Sequence, residues 1–207
     1  MSFGGFPDDA FTFYAGLELD NSREYWLANK ATFEAAVKQP MLELTAALAD
    51  FGPAKIFRPN RDVRFSADKS PYRTNHAALV GRPSGAGYYL ALGCQGLEMG
   101  GGFHAHSPAQ TAKLRQAIDE DASGAELGRL VETLEAQRWE VLGDRVKTTP
   151  RGYAADHPRI ALLRLKELMV IREVDPAVVS SPELVDVVAA GWRQLDGLMD
   201  WLDEAVA

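Results

Sequence analysis

The run Thr74-Asn75-His76-Ala77-Ala78-Leu79-Val80-Gly81-Arg82 decides the fold class of this 207-residue chain, together with Gly87-Tyr88-Tyr89-Leu90-Ala91-Leu92-Gly93-Cys94 and, across Gln95-Gly96, Leu97-Glu98-Met99. In the first run Ala77, Leu79 and Gly81 fall on one side and Ala78 and Val80 on the other. In the second, Tyr88, Leu90 and Leu92 alternate against Tyr89 and Ala91. A period of two places successive side chains on opposite faces of a strand. The gaps are turn-sized, and Gln95-Gly96 reads as a hairpin tip. Connections that short cannot make parallel crossovers, so these strands pair antiparallel. Gly100, Gly101 and Gly102 follow and are expected to interrupt the last strand, where they allow a bulge or the close approach of another backbone.

The period changes on both sides of this region. Upstream, Pro7 with Asp8 and Asp9 opens a helix whose inward residues are Phe11, Tyr14 and Leu17. Asn21 followed by Glu24 reads as a capping box before a helix with an aromatic face, Tyr25, Trp26 and Phe33, continuing to Val37. Pro40 predicts a new helix start, with Met41, Leu44, Leu48 and Phe51 as its buried stripe and Gly52 as its stop. Downstream, Ser107-Pro108 predicts a helix to about Asp119, and Ser123 starts another through Leu134. Trp139 to Lys147 reads as extended, and Asp156 as the cap of a helix through Ile160, Leu163 and Leu165. Leu168 to Val174 reads as a strand, and Ser181-Pro182 opens one final helix that buries Leu184, Val188, Trp192, Leu195, Met199 and Leu202. The expectation is a single α+β domain over residues 1–207. Its mainly antiparallel sheet takes in about residues 55–104 plus strands near 139–147 and 168–174, packed by N-terminal and C-terminal helices.

A hydrophobic content of 46% and a charged content of 25% are ordinary for a globular protein, and the net charge of -7 argues against nucleic-acid binding by the surface as a whole. Cys94 is the one cysteine, so no intramolecular disulfide forms, which suits a reducing compartment. The N-terminus lacks the basic start and apolar run of a signal peptide, and no apolar run is long enough to span a membrane. The expected location is cytoplasmic, with no membrane partner.

Against this acidic background, Lys55 to His76 carries Lys55, Arg58, Arg61, Arg64, Lys69 and Arg73 with only Asp62 and Asp68, a local charge of +4. Such a concentration repels itself unless an anion lies against it. Two readings follow. In one, Arg58, Arg61, Arg64, Lys69 and Arg73 hold an external phosphate-bearing small molecule or nucleotide, with Tyr72 and Asn75 orienting it. Asp62 and Asp68 are then the acid–base candidates for any chemistry. In the other, the cations are clamped by the protein's own carboxylates: Asp62, Asp68, Glu18, Glu24 or the acidic C-terminal segment, which from Glu173 onward has eight acidic residues and one basic. A stretch with the alternation of Asp62-Val63-Arg64-Phe65-Ser66 predicts a strand, Val63 and Phe65 facing inward. A non-enzymatic module that touches nucleic acid, the tyrosines at 72, 88 and 89 stacking on bases, or an acidic protein surface is the less favoured partner reading.

Other candidates are weaker. His104 and His106 have a metal-site spacing, but a chance pair beside a glycine bulge accounts for them better, and no metal is assigned. Ser70 beside Lys69 has the wrong geometry for serine–lysine chemistry, and His76 receives no role. Neither a P-loop nor a dinucleotide fingerprint is present, so the sequence names no cofactor, reaction or oligomeric state.

The motif Phe57-Arg58-Pro59-Asn60-Arg61-Asp62-Val63-Arg64-Phe65-Ser66, then Asp68-Lys69-Ser70-Pro71-Tyr72-Arg73-Thr74-Asn75, resembles the signature of the domain-of-unknown-function family 2461, a conserved hypothetical protein of bacteria and fungi. Asn21-Ser22-Arg23-Glu24-Tyr25-Trp26 resembles that family's N-terminal segment. Lys147 to Tyr153, Asp156-His157-Pro158 and Leu162 to Lys166 resemble its second motif, so the likeness extends from about Phe6 to Leu202. The resemblance implies one α+β domain and no assigned activity. It adds Lys147, Arg151 and His157, with Arg164 and Lys166, as a second polar cluster.

Overall fold

The structure, a computed structural model, describes residues 3–206 apart from Phe65 and His106. Helix α1 (Asp8–Leu19) is followed by α2 (Arg23–Thr32), a π-helical stretch (Phe33–Lys38) and α3 (Gln39–Ala47). Strands β1 (Ala54–Ile56), β2 (Asn75–Gly81), β3 (Ala86–Gly93) and β4 (Gly96–His104) come next. Helices α4 (Pro108–Asp119) and α5 (Asp121–Ala136), strand β5 (Glu140–Leu142), helix α6 (Ile160–Leu163) and strand β6 (Glu167–Glu173) follow. The chain ends in α7 (Pro176–Val179), α8 (Leu184–Gln194) and α9 (Asp196–Val206). The strands form one six-stranded antiparallel sheet in the order β1-β2-β3-β4-β6-β5, so the fold is α+β. Ala54 lies opposite Val80 at the β1 edge, and Val141 opposite Val170 at the β5 edge.

The chain condenses into two compact units. Unit 1 comprises Met1–Val80, Tyr89–Met99 and Glu173–Ala190; unit 2 comprises Gly81–Tyr88, Gly100–Arg172 and Gly191–Ala207. In unit 1 the core is aromatic, as expected of Tyr14, Trp26 and Phe33, but Phe13 is buried in the place expected of Phe11, which is half-buried. Phe13 meets Tyr14 and Trp26 edge-on at 5.1 and 5.7 Å, and Trp26 lies 4.8 Å from Phe33. Each such pair adds about 0.5–1.5 kcal/mol beyond its area burial. In unit 2, Leu114, Ile118, Leu127, Leu134, Met199 and Leu202 are buried, and Arg172 lies 4.3 Å over the Trp139 ring.

Several expectations are corrected. No helix break occurs before Pro40. Proline inside a helix lacks the N–H for the carbonyl four residues back, and its ring crowds that carbonyl. The chain answers by widening: the Gln39 N–H bonds the carbonyl of Glu34, five residues back, and Pro40 falls in the first turn of α3. The triple glycine does not end β4, which runs through it to His104. A Cβ at Gly100 would strike the Val170 carbonyl oxygen, and one at Gly102 the Leu168 carbonyl oxygen, so the glycines admit β6 at close range. Asp62, Val63, Arg64 and Ser66 lie in no strand, with Arg64 in a turn; the inward position expected of Phe65 lies outside the described residues. The 139–147 strand shrinks to β5. Helix α6 is a single turn preceded by Arg159, and Asp156 does not cap it; Leu165 instead bridges to Arg145. Glu120 caps α5 in place of Ser123, accepting from the Ala122 and Ser123 N–H groups. The last helix is two, α8 and α9, divided at Leu195, whose N–H turns back to the Trp192 carbonyl at 2.9 Å.

Replacing Gly100 by alanine is expected to lower unfolding free energy by about 1–3 kcal/mol through overpacking. Gly128→Ala in α5, where a Cβ meets nothing within 4 Å, is expected to raise it by about 0.5–1 kcal/mol. Urea unfolding of the two variants checks both signs.

Candidate functional site

The arginine-bearing loop of unit 1 is built around one closure. Asn60 and Tyr72 form an isolated antiparallel bridge. The Arg61 N–H donates to the Pro71 carbonyl at 2.9 Å, and the Arg73 N–H to the Pro59 carbonyl at 2.8 Å. Tyr72 is then held from outside the loop. Its N–H donates to Asn21 Oδ1 and its carbonyl accepts from Asn21 Nδ2, both at 3.0 Å. One amide side chain thus does for Tyr72 what a neighbouring strand would do. The Tyr72 ring stacks on Trp26, with centroids 4.3 Å apart and planes 9° apart. Asn21 is therefore no capping residue. Ser22 takes that place, its hydroxyl accepting from the Tyr25 N–H at 3.1 Å.

Most of the loop's charge is answered within it. Arg64 grips Asp62 in a fork, Nε to Oδ1 at 2.9 Å and Nη2 to Oδ2 at 2.6 Å, and its side chain is 76% exposed. Arg61 pairs with Asp68, which also accepts from the Ser70 N–H at 2.9 Å and the Ser70 hydroxyl at 2.6 Å. Lys69 Nζ donates to the Val63 carbonyl at 3.0 Å. The hydrogen bonds from Arg64 hold the Asp62 carboxyl below its ordinary range. Those from Arg61, then Ser70, do the same for Asp68. Carboxylates so firmly ionised are weak bases at neutral pH and have no proton to give.

The five cations do not converge. A pocket of about 330 Å³ gathers Arg61, Asp68, Ser70, Tyr72, Arg73 and Asn75, with Glu18 at its edge. Arg58 lines a different cleft, and Arg64 and Lys69 line neither. Among the described residues no hydrogen bond or ion pair is made by the Arg73 guanidinium. Glu18 also accepts from the Cys94 thiol at 3.1 Å; burial, then that bond, raises the thiol's pKa.

The remaining candidates lie in unit 2. His157 Nε2 stands 3.2 Å from Asp119, and its Nδ1 accepts from the Arg159 N–H at 3.0 Å. Lys147 and Arg151 are exposed, and no contact among the described residues joins them to His157. His104 Nδ1 pairs with Glu167; His106 lies outside the described residues. Among those described, no group of three or more His, Cys, Asp or Glu is placed to hold a metal, and no helix is long and apolar enough to cross a membrane. The acidic C-terminal segment has its own partners in unit 2: Asp200 and Asp203 accept from Arg82 at 2.7 and 2.6 Å, and Asp196 from the Tyr88 hydroxyl at 2.8 Å.

The residue that sequence reasoning passed over is His76. It shares the β2 face of Ala78 and Val80, all three buried. A histidine in step with an apolar strand face was the available signal. It is 2% exposed, and neither ring nitrogen has a hydrogen-bond partner among the described residues. Burial, then the charge of Lys38, lowers its pKa to about 4.

Residues 9–201 match the model of the family described as Conserved hypothetical protein (DUF2461). The chain belongs to that α+β family of unknown function. No curated protein matches it.

Two measurements follow. Asn21→Ala removes both bonds to Tyr72 and is expected to cost about 1–3 kcal/mol in denaturant unfolding. His76 binds its proton more weakly folded than unfolded. Its contribution is therefore present above the unfolded pKa of about 6.5 and is lost as pH falls toward 4, a change of roughly 3 kcal/mol. His76→Gln is expected to flatten the slope of stability against pH in that window.

Proposed function

We propose that the pocket beside the arginine loop binds a small phosphate-bearing molecule, with Arg73 as its principal cation. The observation that carries this is the inequality among the arginines. Arg61 and Arg64 are paired with Asp68 and Asp62, and Arg73, lining the pocket, is not. A guanidinium offers a planar fork of donors matched to phosphate. Ser70 and Asn75 supply neutral hydrogen-bonding groups on the same lining, and the Asn21–Tyr72 clamp holds the backbone that bears Arg73.

Binding is favoured over catalysis. Asp62 and Asp68 serve as ion-pair partners that stiffen the loop, which gives the structural reading of Arg61 and Arg64 its share of the motif. A small ligand is favoured over nucleic acid. Tyr72 is covered by Trp26, and Tyr88 is buried against Trp192 with centroids 5.0 Å apart, so neither ring is free to stack on a base.

Calorimetric titration of the protein with inorganic phosphate, pyrophosphate and adenosine monophosphate at about 20 mM salt tests this. Saturable binding is expected for at least one of the three. Arg73→Ala is expected to weaken it roughly tenfold or more. Heats that never saturate, or an affinity indifferent to Arg73→Ala, sink the proposal.

A further inference from the structure

Unit 1 holds a second cleft, of about 430 Å³, within the size range of small-molecule sites. Its apolar lining is Trp26, Phe33, Leu42, Ile56 and Phe57. Its charged lining is Lys30, Lys38 and Arg58 against the single carboxylate of Glu34, which is already bound to Lys38 at 2.7 Å. Lys30 and Arg58 are exposed and make no ion pair or hydrogen bond among the described residues. The cleft thus combines aromatic side chains with positive charge that outweighs its one carboxylate.

His76 completes it. It lines the cleft while 2% exposed, and neither ring nitrogen has a hydrogen-bond partner among the described residues. Its nearest ring is Phe33, edge-on at 5.2 Å, which satisfies neither nitrogen. A neutral imidazole carries one donor and one acceptor, and each left unpaired when buried costs about 1–3 kcal/mol. With its pKa near 4, the ring is that neutral donor–acceptor pair at physiological pH. Polar side chains are seldom buried in this state without a use.

The π turn that accommodates Pro40 lies along the same cleft. The π-helical stretch Phe33–Lys38 gives Phe33, Glu34 and Lys38 to the same lining. π turns are rare and concentrate at functional sites.

We propose that this cleft binds a small planar aromatic or heteroaromatic carboxylate. Its ring packs among Trp26, Phe33 and Phe57. A ring N–H or hydroxyl meets the neutral imidazole of His76. Its carboxylate is neutralised by Arg58 and Lys30. Each part answers one observation: the aromatic wall, the unpaired imidazole and the two unpaired cations. A compact phosphate would leave the aromatic wall uncovered and belongs in the more polar pocket of Arg73.

The test uses the full chain labelled with ¹⁵N and two acids, indole-2-carboxylate and 4-hydroxybenzoate, each beside its neutral amide. Long-range imidazole spectra report on His76, and the indole N–H resonance of Trp26 gives a second readout. A saturable displacement of the His76 ring nitrogens is expected with at least one acid. Binding roughly tenfold weaker is expected for its amide and for Arg58→Ala and Lys30→Ala, exposed positions whose variants are checked for unchanged thermal unfolding. No saturable displacement by either acid up to about 10 mM overturns the assignment. So does an amide that binds as tightly as its acid, or rim variants that change nothing.

Discussion

The paired hydrogen bonds between the Asn21 side chain and the Tyr72 backbone are the constraint on which the candidate sites of unit 1 depend. The loop from Phe57 to Thr74 contains Pro59 and Pro71, and few of its described residues sit in a regular ladder, so little of its backbone is held by neighbouring strands. Asn21 supplies a donor and an acceptor at one point, both at 3.0 Å. Trp26, one turn along α2, supplies a flat surface for the Tyr72 ring. A bridge this local fixes the two residues around it, and those residues are Pro71 and Arg73. The direction of Arg73 into its pocket is thus inherited from a helix about fifty positions earlier in the chain.

With the loop fixed, its charges sort themselves by reach. Asp62 and Arg64 are two residues apart and close on each other at the surface. Asp68 is seven residues from Arg61 and closes the loop on itself, with Ser70 as a further donor. Such exposed pairs contribute little stability each; their effect is to use up Arg61 and Arg64 as binders and to keep both carboxylates ionised. Arg58 and Arg73, left over, point to two different hollows. One basic motif thereby serves a polar pocket and an aromatic cleft of opposite character.

The cleft shows the same economy in a helix. Pro40 forces an accommodation somewhere before it, and the chain makes that accommodation as a π turn whose side chains line the cleft with His76. The proline, a backbone defect and an unpartnered histidine thus lie along one causal line.

Much of this was legible in the residues alone. Alternation from Thr74 to Met99 dictates strands because successive side chains of a strand point to opposite faces, and the turn-sized gaps dictate that they pair antiparallel. The aromatic face of the early helices and the Ser107-Pro108 start follow as directly from local stereochemistry, and the motif's excess of positive charge is a matter of counting. The sequence could not show that Asn21 prefers Tyr72 to its own helix, or that Gly100 and Gly102 lie inside a strand because β6 presses on them. Nor could it show that Asp196, Asp200 and Asp203 of the acidic tail meet Tyr88 and Arg82, or that Asp62 and Arg64 leave a plausible strand for an ion pair. Each of these is a competition between a local partner and a distant one. Local preference alone determines the element; which partner wins depends on what the fold brings within three ångströms, and only the tertiary structure decided that.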